Sequence, residues 1–296
     1  MRTTKEDLIH VSNVSDFVDT LSELQIAAGR MRFFRGHPDF ARFKLKPSIY
    51  RHRALIKDEG NLIQESIIRC PNDFPPSSSF FEVLVRLQHY GLPTRLLDLT
   101  ANALAALYFA CREREKTKGE VVVFDIPMDH VKYYNSDTVA VISNLARRPF
   151  SFSVLDLPDD VTEFHKEEEI GRMLYEIRED KPAFRPLIEK SDLSRVLCVR
   201  AKLDNVRIAR QDGAFLLFGI RERKGYYARI PQEWIVCGEG ARRIVISNKY
   251  RLRRELEQFG VSEETLFPEL DHQTASIVRK FKGKYRRKKP FKILRK

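Results

Sequence analysis

The 296-residue chain lacks the features that mark membrane and secreted proteins. No apolar run reaches the roughly 18 residues that a membrane-spanning helix requires. The N-terminal sequence MRTTKEDLIHV has no apolar core of the kind found in secretory signals. We therefore expect a cytoplasmic protein that does not associate with membranes.

The chain also has little cysteine and histidine. The four cysteines are far apart and lie mainly in apolar segments: Cys70, Cys111, Cys198 and Cys237. None shows the paired spacing of metal ligands, and the seven histidines are equally scattered. The sequence therefore predicts reduced thiols in the core and no metal site.

Excess charge of one sign is absent except at the C-terminus. The net charge is +12, and Arg279–Lys296, hereafter the basic tail, holds eleven Lys and Arg and no acidic residue. That leaves 42 of the 53 basic residues against 41 acidic residues in the rest of the chain. The tail also contains Phe281, Tyr285 and Phe291, and this mixture is typical of phosphate contact plus base stacking. Nucleic-acid binding and a disordered, non-specifically sticky end are both compatible with it.

The hydrophobic pattern predicts helices and strands in an order typical of an α+β domain. Helices are predicted for residues 15–29, capped by Asn13 or Ser15, and for residues 58–70, 80–91, 249–259 and 268–281. Strands are predicted for residues 31–36, 120–126, 138–143, 195–201 and 213–220. We expect mixed, mainly antiparallel central sheets flanked by helices, in one domain spanning residues 1–278. Within it, residues 145–192 are expected to form a partly exposed insertion.

The segment Gln88–Cys111, QHYGLPTRLLDLTANALAALYFAC, changes abruptly from polar to apolar. Its polar side chains lie close together in sequence: Gln88, His89, Tyr90, Thr94, Arg95, Asp98 and Thr100. The polar half is predicted to be a loop or a short strand that leads into a helix. The helix is predicted because large apolar residues recur at helical spacing: Leu104, Leu107, Tyr108 and Cys111. Asp98 or Thr100 is predicted to cap this helix. The polar groups are thus expected at the start of a rigid buried element, where binding sites are commonly built.

Arg35 and the charged and aromatic residues of this segment each have two interpretations. Arg35, at the end of a predicted strand, suits bidentate phosphate binding or an ion pair with Asp98. His89 and Tyr90 suit contacts to a sugar hydroxyl and a nicotinamide or nucleobase ring, or simple packing in the core. Arg95 suits a phosphate contact that Asp98 orients, or an ion pair with Asp98.

Three segments of the chain resemble the FRG domain family. They are Phe34-Arg35-Gly36, the string His89–Thr100 followed by Leu107–Ala110, and Gln211 with Gly213 and Phe215. The family usually has tryptophan at the position of Leu99. The resemblance extends over about residues 30–220, and residues 145–192 fit it poorly.

The same order of motifs resembles, more distantly, the ADP-ribosyltransferases. That resemblance implies an ADP-ribosyltransferase-like core with NAD as substrate. It implies catalytic roles for Arg35, Thr94 and Gln211. Together with the side-chain chemistry above, it leads us to expect cofactor contacts from Arg35, Gly36, His89, Tyr90, Arg95 and Asp98. Those enzymes carry a glutamate on a late strand, whereas this chain has Gln211, which cannot supply the negative charge that stabilises an oxocarbenium-like transition state. Asp98 or Asp212 would have to supply that charge.

The resemblance leads us to expect an NAD-dependent ADP-ribosyltransferase-like effector of a bacterial toxin or anti-phage defence system. It would modify nucleic acid or protein, or hydrolyse NAD as a glycohydrolase. The alternative is a non-catalytic nucleic-acid-binding module that uses the basic tail. A nuclease is disfavoured, because the sequence has no carboxylate cluster to hold Mg²⁺ and no paired histidines.

Overall fold

The structure, a computed structural model, describes residues 8–185, 188–203, 205–269, 274 and 278. Its strands are β1 Leu8–Val11, β2 Arg30–His37, β3 Leu96–Thr100, β4 Gly119–Pro127, β5 Val131–Tyr133, β6 Val196–Arg200, β7 Gly213–Phe218, β8 Ile235–Cys237 and β9 Arg243–Ile246. Its helices are α1 Val14–Ser22, α2 Arg53–Lys57, α3 Glu59–Arg69, α4 Phe80–His89, α5 Ala103–Arg112, α6 Asp137–Asn144, α7 Val161–Lys166, α8 Glu168–Asp180, α9 Val206–Arg210, α10 Lys249–Gln258 and α11 Glu263–Leu266. The basic tail lies outside the described residues, and so does most of the helix predicted for residues 268–281.

Within the described residues, the strands form one sheet in the order β1-β9-β4-β2-β3-β7-β6-β5, with β8 paired to β4. The β1–β9 and β5–β6 pairs are parallel, and the other pairs are antiparallel. Helices pack against this sheet. The prediction of a mixed, mainly antiparallel sheet flanked by helices is therefore confirmed.

The sheet is nearly divided between β2 and β3. β2 pairs with β4 along its whole length, from Arg30 to His37, whereas it pairs with β3 only where Phe34 lies opposite Thr100. One apolar cluster, which includes Phe33 and Leu97, spans the junction on one side of the sheet. On the other side, α1, α5 and α10 cover the β2 half, and α4, α6 and α8 cover the β3 half. An opening between the two groups of helices follows from this arrangement.

Helix α5 packs very closely against β2 because both elements present small residues. A Cβ added to Gly36 would lie 2.0 Å from the carbonyl oxygen of Ala106. A Cβ on Gly119 of β4 would lie 2.5 Å from the carbonyl oxygen of Ala110. The alanine-rich face of α5 thus rests directly on the strand backbone.

The N-cap of α5 is Asn102, whose side chain accepts hydrogen bonds from the backbone N–H groups of Leu104 and Ala105. The prediction that Asp98 or Thr100 caps the helix is therefore wrong. Both residues belong to β3, which pairs with β7 at all five positions. Leu97 and Leu99 enter one apolar cluster and Leu96 enters the cluster on the other face, while Asp98 is exposed, so this stretch is stabilised as a strand before the helix begins.

Three further local predictions differ from the structure. Residues 138–143, predicted as a strand, form α6, because Val139 and Ile142 are buried in the apolar cluster shared with α4 and α8. Such tertiary burial overrides the strand propensity of β-branched residues. Helix α1 ends at Ser22 rather than near Gly29, and residues 25–29 are exposed. Cys70 is exposed, whereas the other cysteines are buried as predicted.

The predicted insertion, residues 145–192, contains α7 and α8. Ile170, Met173 and Ile177 bury one face of α8 in the same apolar cluster as α4 and β3. The acidic residues on its other faces form ion pairs, such as that of Glu168 with Arg172. In the described part of the chain, no helix combines the length and the apolarity needed to cross a membrane.

Candidate functional site

A cleft of about 200 Å³ opens where β2 and β3 separate. Its lining comes from every element around the junction: Phe34, Arg35 and Gly36 of β2, Asp98, Leu99 and Thr100 of β3, Val85, Gln88 and His89 of α4, Phe109 of α5, Arg207 and Ile208 of α9, then Gln211, Gly213, Ala214 and Phe215. Apolar walls therefore surround a few polar groups, which is the usual composition of a small-molecule site.

Arg35 fills the gap that the separated strands leave. Its Nη1 donates to the backbone carbonyl of Asp98 at 2.5 Å and lies 3.7 Å from the Asp98 carboxylate. The carbonyl of Arg95 accepts from Phe218 of β7, and the N–H of Ala101 donates to Asp212 directly before β7. Because the backbone groups of successive residues in a strand point to opposite sides, the carbonyl of Asp98 points towards β2. Arg35 thus replaces a missing strand partner. Burial lowers the pKa of Arg35, and the neighbouring Asp98 opposes that shift.

The side-chain amide of Gln88 holds the Asp98 carboxylate in position, and the hydroxyl of Thr94 in turn holds Gln88. Gln88 Nε2 donates to Asp98 Oδ1 at 2.8 Å, and the Thr94 hydroxyl donates to Gln88 Oε1. The Asp98 side chain remains 65% exposed and faces the cleft. Thr94 is buried and does not line the cleft, so it acts on Asp98 only through Gln88. Gln88 was not among the predicted site residues, although it opens the polar segment.

His89 lines the cleft beside its mouth. Its Nε2 lies 3.5 Å from Oε1 of Glu269, and its ring packs edge-to-face on Tyr90 with centroids 5.1 Å apart. Tyr90 is 70% exposed and is not part of the cleft lining. The structure therefore brings His89, but not Tyr90, to the predicted cluster.

Gln211 follows α9 directly and lines the cleft from the side opposite β2. Its Nε2 donates to the carbonyl of Leu266 at 3.0 Å, and its own carbonyl accepts from the Thr100 hydroxyl. The next residue, Asp212, is exposed and lies outside the lining. Of the two carboxylates considered as charge donors, only Asp98 therefore faces the cleft.

Arg207 is a cleft residue that the sequence did not indicate. It lies on α9, and its guanidinium stacks over the ring of Phe267, 4.8 Å from the centroid. Burial lowers the pKa of Arg207, and Glu269 and Asp98 oppose the shift. No local pattern marks this residue, because its contacts come from a segment far along the chain.

Comparison with known proteins identifies one part of the molecule. Residues 30–119 match the FRG domain. The chain carries an FRG domain. No curated protein and no solved structure matches the chain.

The FRG domain supplies one side of the cleft. Strand β2 contributes Arg35 and Gly36, α4 contributes His89, and β3 contributes Asp98, all within the matched residues. Arg207 and Gln211 lie beyond the match and form the opposite side. The cleft is thus complete only when the FRG domain packs against the C-terminal part of the chain.

Arg95 of the FRG domain lies away from the cleft. It is fully buried, donates from Nε to Glu59 at 3.0 Å and bonds the carbonyl of Phe218. Burial alone lowers the pKa of Arg95, but Glu59 and Tyr50 together outweigh it and leave the pKa raised. Both sequence interpretations of Arg95, phosphate contact and pairing with Asp98, therefore disagree with its position. A buried guanidinium needs a carboxylate, and α3 supplies one.

A chain of buried side chains fixes the position of Arg35. Arg35 Nε donates to His37 Nε2 at 3.0 Å, His37 Nδ1 lies 3.3 Å from Glu120, and Arg243 Nε donates to Glu120 at 2.6 Å. Because His37 Nε2 accepts a bond, its proton lies on Nδ1 and the ring is neutral. Burial lowers the pKa of His37, which favours this neutral form. Among the described residues, no three His, Cys, Asp or Glu side chains are grouped as a metal site requires.

Proposed function

We propose that the cleft binds NAD or a related nucleotide and that the protein is an ADP-ribosyltransferase-like enzyme or NAD glycohydrolase. One observation carries the proposal. Arg35 and Asp98, a cation and an oriented carboxylate, meet between separated strands in a cleft with aromatic walls. This combination suits a ligand with a flat ring, a sugar and a phosphate.

The residues present fit the chemistry that NAD offers as a substrate. Breaking the bond between nicotinamide and ribose develops positive charge on the sugar, which a nearby carboxylate stabilises. Asp98 supplies such a carboxylate, and Gln88 keeps one of its oxygens fixed. The amide of Gln211 suits a ribose hydroxyl, and Phe34 and Phe109 provide apolar surface for a ring.

The size of the cleft limits how much of the ligand it encloses. Sites for drug-sized ligands are commonly about 300–1,000 Å³, whereas this cleft measures about 200 Å³. We infer that it encloses the reacting half of a dinucleotide and that the other half extends to the mouth near His89.

The test compares two carboxylates, one inside the cleft and one outside it. Asp98→Asn keeps an oxygen for Gln88 but removes the charge. We expect the kcat for nicotinamide release from labelled NAD to fall about 100-fold or more, with the KM within a few-fold of wild type. Asp212→Asn is the matched control, because Asp212 is exposed and outside the cleft, and it should behave as wild type. A wild-type protein that neither binds NAD nor consumes it, with nucleic acid and protein targets supplied, refutes the proposal.

The role of an effector in toxin or anti-phage systems, acting on nucleic acid or protein, belongs to the same proposal. Nucleic-acid binding through the basic tail is the second candidate function. One structural observation favours it besides the charge of the tail. Glu269, ten positions before Arg279, contacts His89 at the cleft mouth. An extended chain of that length reaches at most about 35 Å, so a strand held by the tail stays within reach of the cleft.

A further inference from the structure

The guanidinium of Arg207 lies in the cleft and is stacked over an aromatic ring. Among the described residues it forms no ion pair and no side-chain hydrogen bond, and its contact is the ring of Phe267. A partly buried cation is costly unless an anion or hydrogen-bond acceptors compensate it. The cleft therefore offers a desolvated cation with its donors unused.

The surrounding charges do not neutralise Arg207. Arg112 lies over the same Phe267 ring, 4.2 Å from its centroid, and likewise forms no ion pair within the described part of the chain. Glu269 and Asp98 oppose the lowering of the Arg207 pKa by burial. Glu269 faces His89, and Asp98 is held by Gln88 and lies beside Arg35. Positive charge thus remains available at this end of the cleft.

Phe267 is a fixed platform for Arg207. Its ring is fully buried and packs edge-to-face on Phe109, with centroids 5.8 Å apart. The preceding carbonyl, that of Leu266, accepts a hydrogen bond from Gln211. An arginine stacked on a rigid aromatic ring loses less freedom when its donors bind a ligand.

We propose that Arg207, on its Phe267 platform, forms a phosphate-binding subsite of the cleft, which takes the phosphate or diphosphate group of the ligand. Arg35 assists from the opposite side, because its Nη2 has no hydrogen-bond partner among the described residues. Both arginines line the cleft, Arg35 from β2 and Arg207 from α9. The subsite rests on the proposed function, since it names the group by which a nucleotide is held.

The test measures the binding of inorganic pyrophosphate and of ADP to the full chain by calorimetry at one fixed ionic strength. We expect Arg207→Gln to weaken both affinities about tenfold or more, because it removes charge-assisted hydrogen bonds. Arg210→Gln is the matched control. Arg210 lies on the same helix, is exposed and is outside the cleft, and the variant has the same net charge and the same basic tail. It should bind both ligands as wild type does.

Equal pyrophosphate affinity in wild type and Arg207→Gln would overturn the subsite, as would equal losses in the two glutamine variants. Thermal unfolding of each variant checks that the fold is intact, and Arg207→Lys, which keeps the charge, should lose less affinity than Arg207→Gln. The outcome is separable from that of the proposed function. Selective loss of pyrophosphate binding without any NAD turnover would retain the subsite and remove the enzyme. Normal NAD turnover by wild type, together with unchanged pyrophosphate binding in Arg207→Gln, would retain the enzyme and remove the subsite.

Discussion

Glu59 lies between two buried cations, and the two respond differently to burial. Arg95 donates to it through two nitrogens, while Lys224 Nζ lies 3.4 Å away and bonds the carbonyls of Ala146 and Arg148. Burial lowers the pKa of Lys224 to about 8, because Glu59 compensates only part of the desolvation. One carboxylate thus serves two cations, and Lys224 is the weaker partner.

This lowered pKa predicts a pH-dependent stability. Between pH 8 and 10.5 the unfolded Lys224 is protonated while the folded one loses its proton, so the free energy of unfolding rises with pH across that window. Relative to Lys224→Met, which cannot titrate, wild type should gain up to about 1.4 kcal/mol per pH unit. Urea unfolding of both proteins at pH 7.5, 8.5 and 9.5 measures the difference. A difference that stays constant with pH would contradict the buried position of Lys224.

The partners of single residues were the part of the site that the sequence predicted least. Arg95 directly precedes β3, and Arg35 lies near the end of β2. Yet Arg95 is buried against α3, whereas Arg35 lines the cleft. The distinction depends on Glu59, which is 36 positions from Arg95 and has no marker in the sequence. The same holds for Arg207, whose platform Phe267 comes from a later segment. Long-range side-chain pairing has no periodic signature that a sequence pattern can reveal.

At the level of elements, the contact of α5 with β2 fixes one wall of the cleft. Gly36 lies against the backbone of α5, and no flexible side chain stands there that could move aside to make room. Phe34 and Phe109, which line the cleft, lie on these two elements. The distance between α5 and β2 therefore determines how the helix packs on the sheet and how far apart Phe34 and Phe109 lie in the cleft wall.

We expect Gly36→Ala to destabilise the protein by about 2 kcal/mol or more, because the new methyl group forces α5 away from the strand. Gly171→Ala is the control. Gly171 lies within α8, a Cβ added to it would meet nothing within 4 Å, and alanine there should stabilise by up to about 1 kcal/mol. Urea unfolding gives both values. If the two variants had equal stability, α5 would not rest on β2 as described.

Elements with a clear period are predictable from the sequence, and those shaped by their surroundings are not. The strands β2, β4, β6 and β7 and the helix α5 follow from continuous apolar or small-residue patterns. Helix α6 differs from its prediction because its valines and isoleucine favour a strand locally, while packing between α4 and α8 favours a helix. Strand β3 was predicted only as one of two alternatives, a loop or a short strand, because its leucines run directly into the apolar sequence of α5.

Across the whole molecule, the cleft depends on chain segments that are far apart in sequence. Arg35, Asp98 and Gln211 come from before, within and after the polar segment, and the incomplete pairing of β2 with β3 leaves room between them. The order of motifs predicted that these segments converge. It could not predict the division of the sheet, because the number of β2–β3 pairs depends on how the two helix groups pack on either side.

The distribution of charge leads to the last prediction. Because the remaining residues are nearly neutral, removal of residues 279–296 should remove most of the electrostatic affinity for single-stranded nucleic acid. With eleven basic residues in the tail, the plot of log K against log salt for wild type should have a negative slope of magnitude at most about 8. The truncated chain should show a slope near zero in a fluorescence titration from 50 to 300 mM salt, roughly the range in which such contacts weaken most.

A full-length variant with Phe281, Tyr285 and Phe291 changed to serine separates stacking from charge, since it should lose affinity but keep the slope. Truncation that leaves affinity and slope unchanged would assign nucleic-acid binding elsewhere, whereas unchanged NAD hydrolysis by the truncated chain would show that the cleft works without the tail.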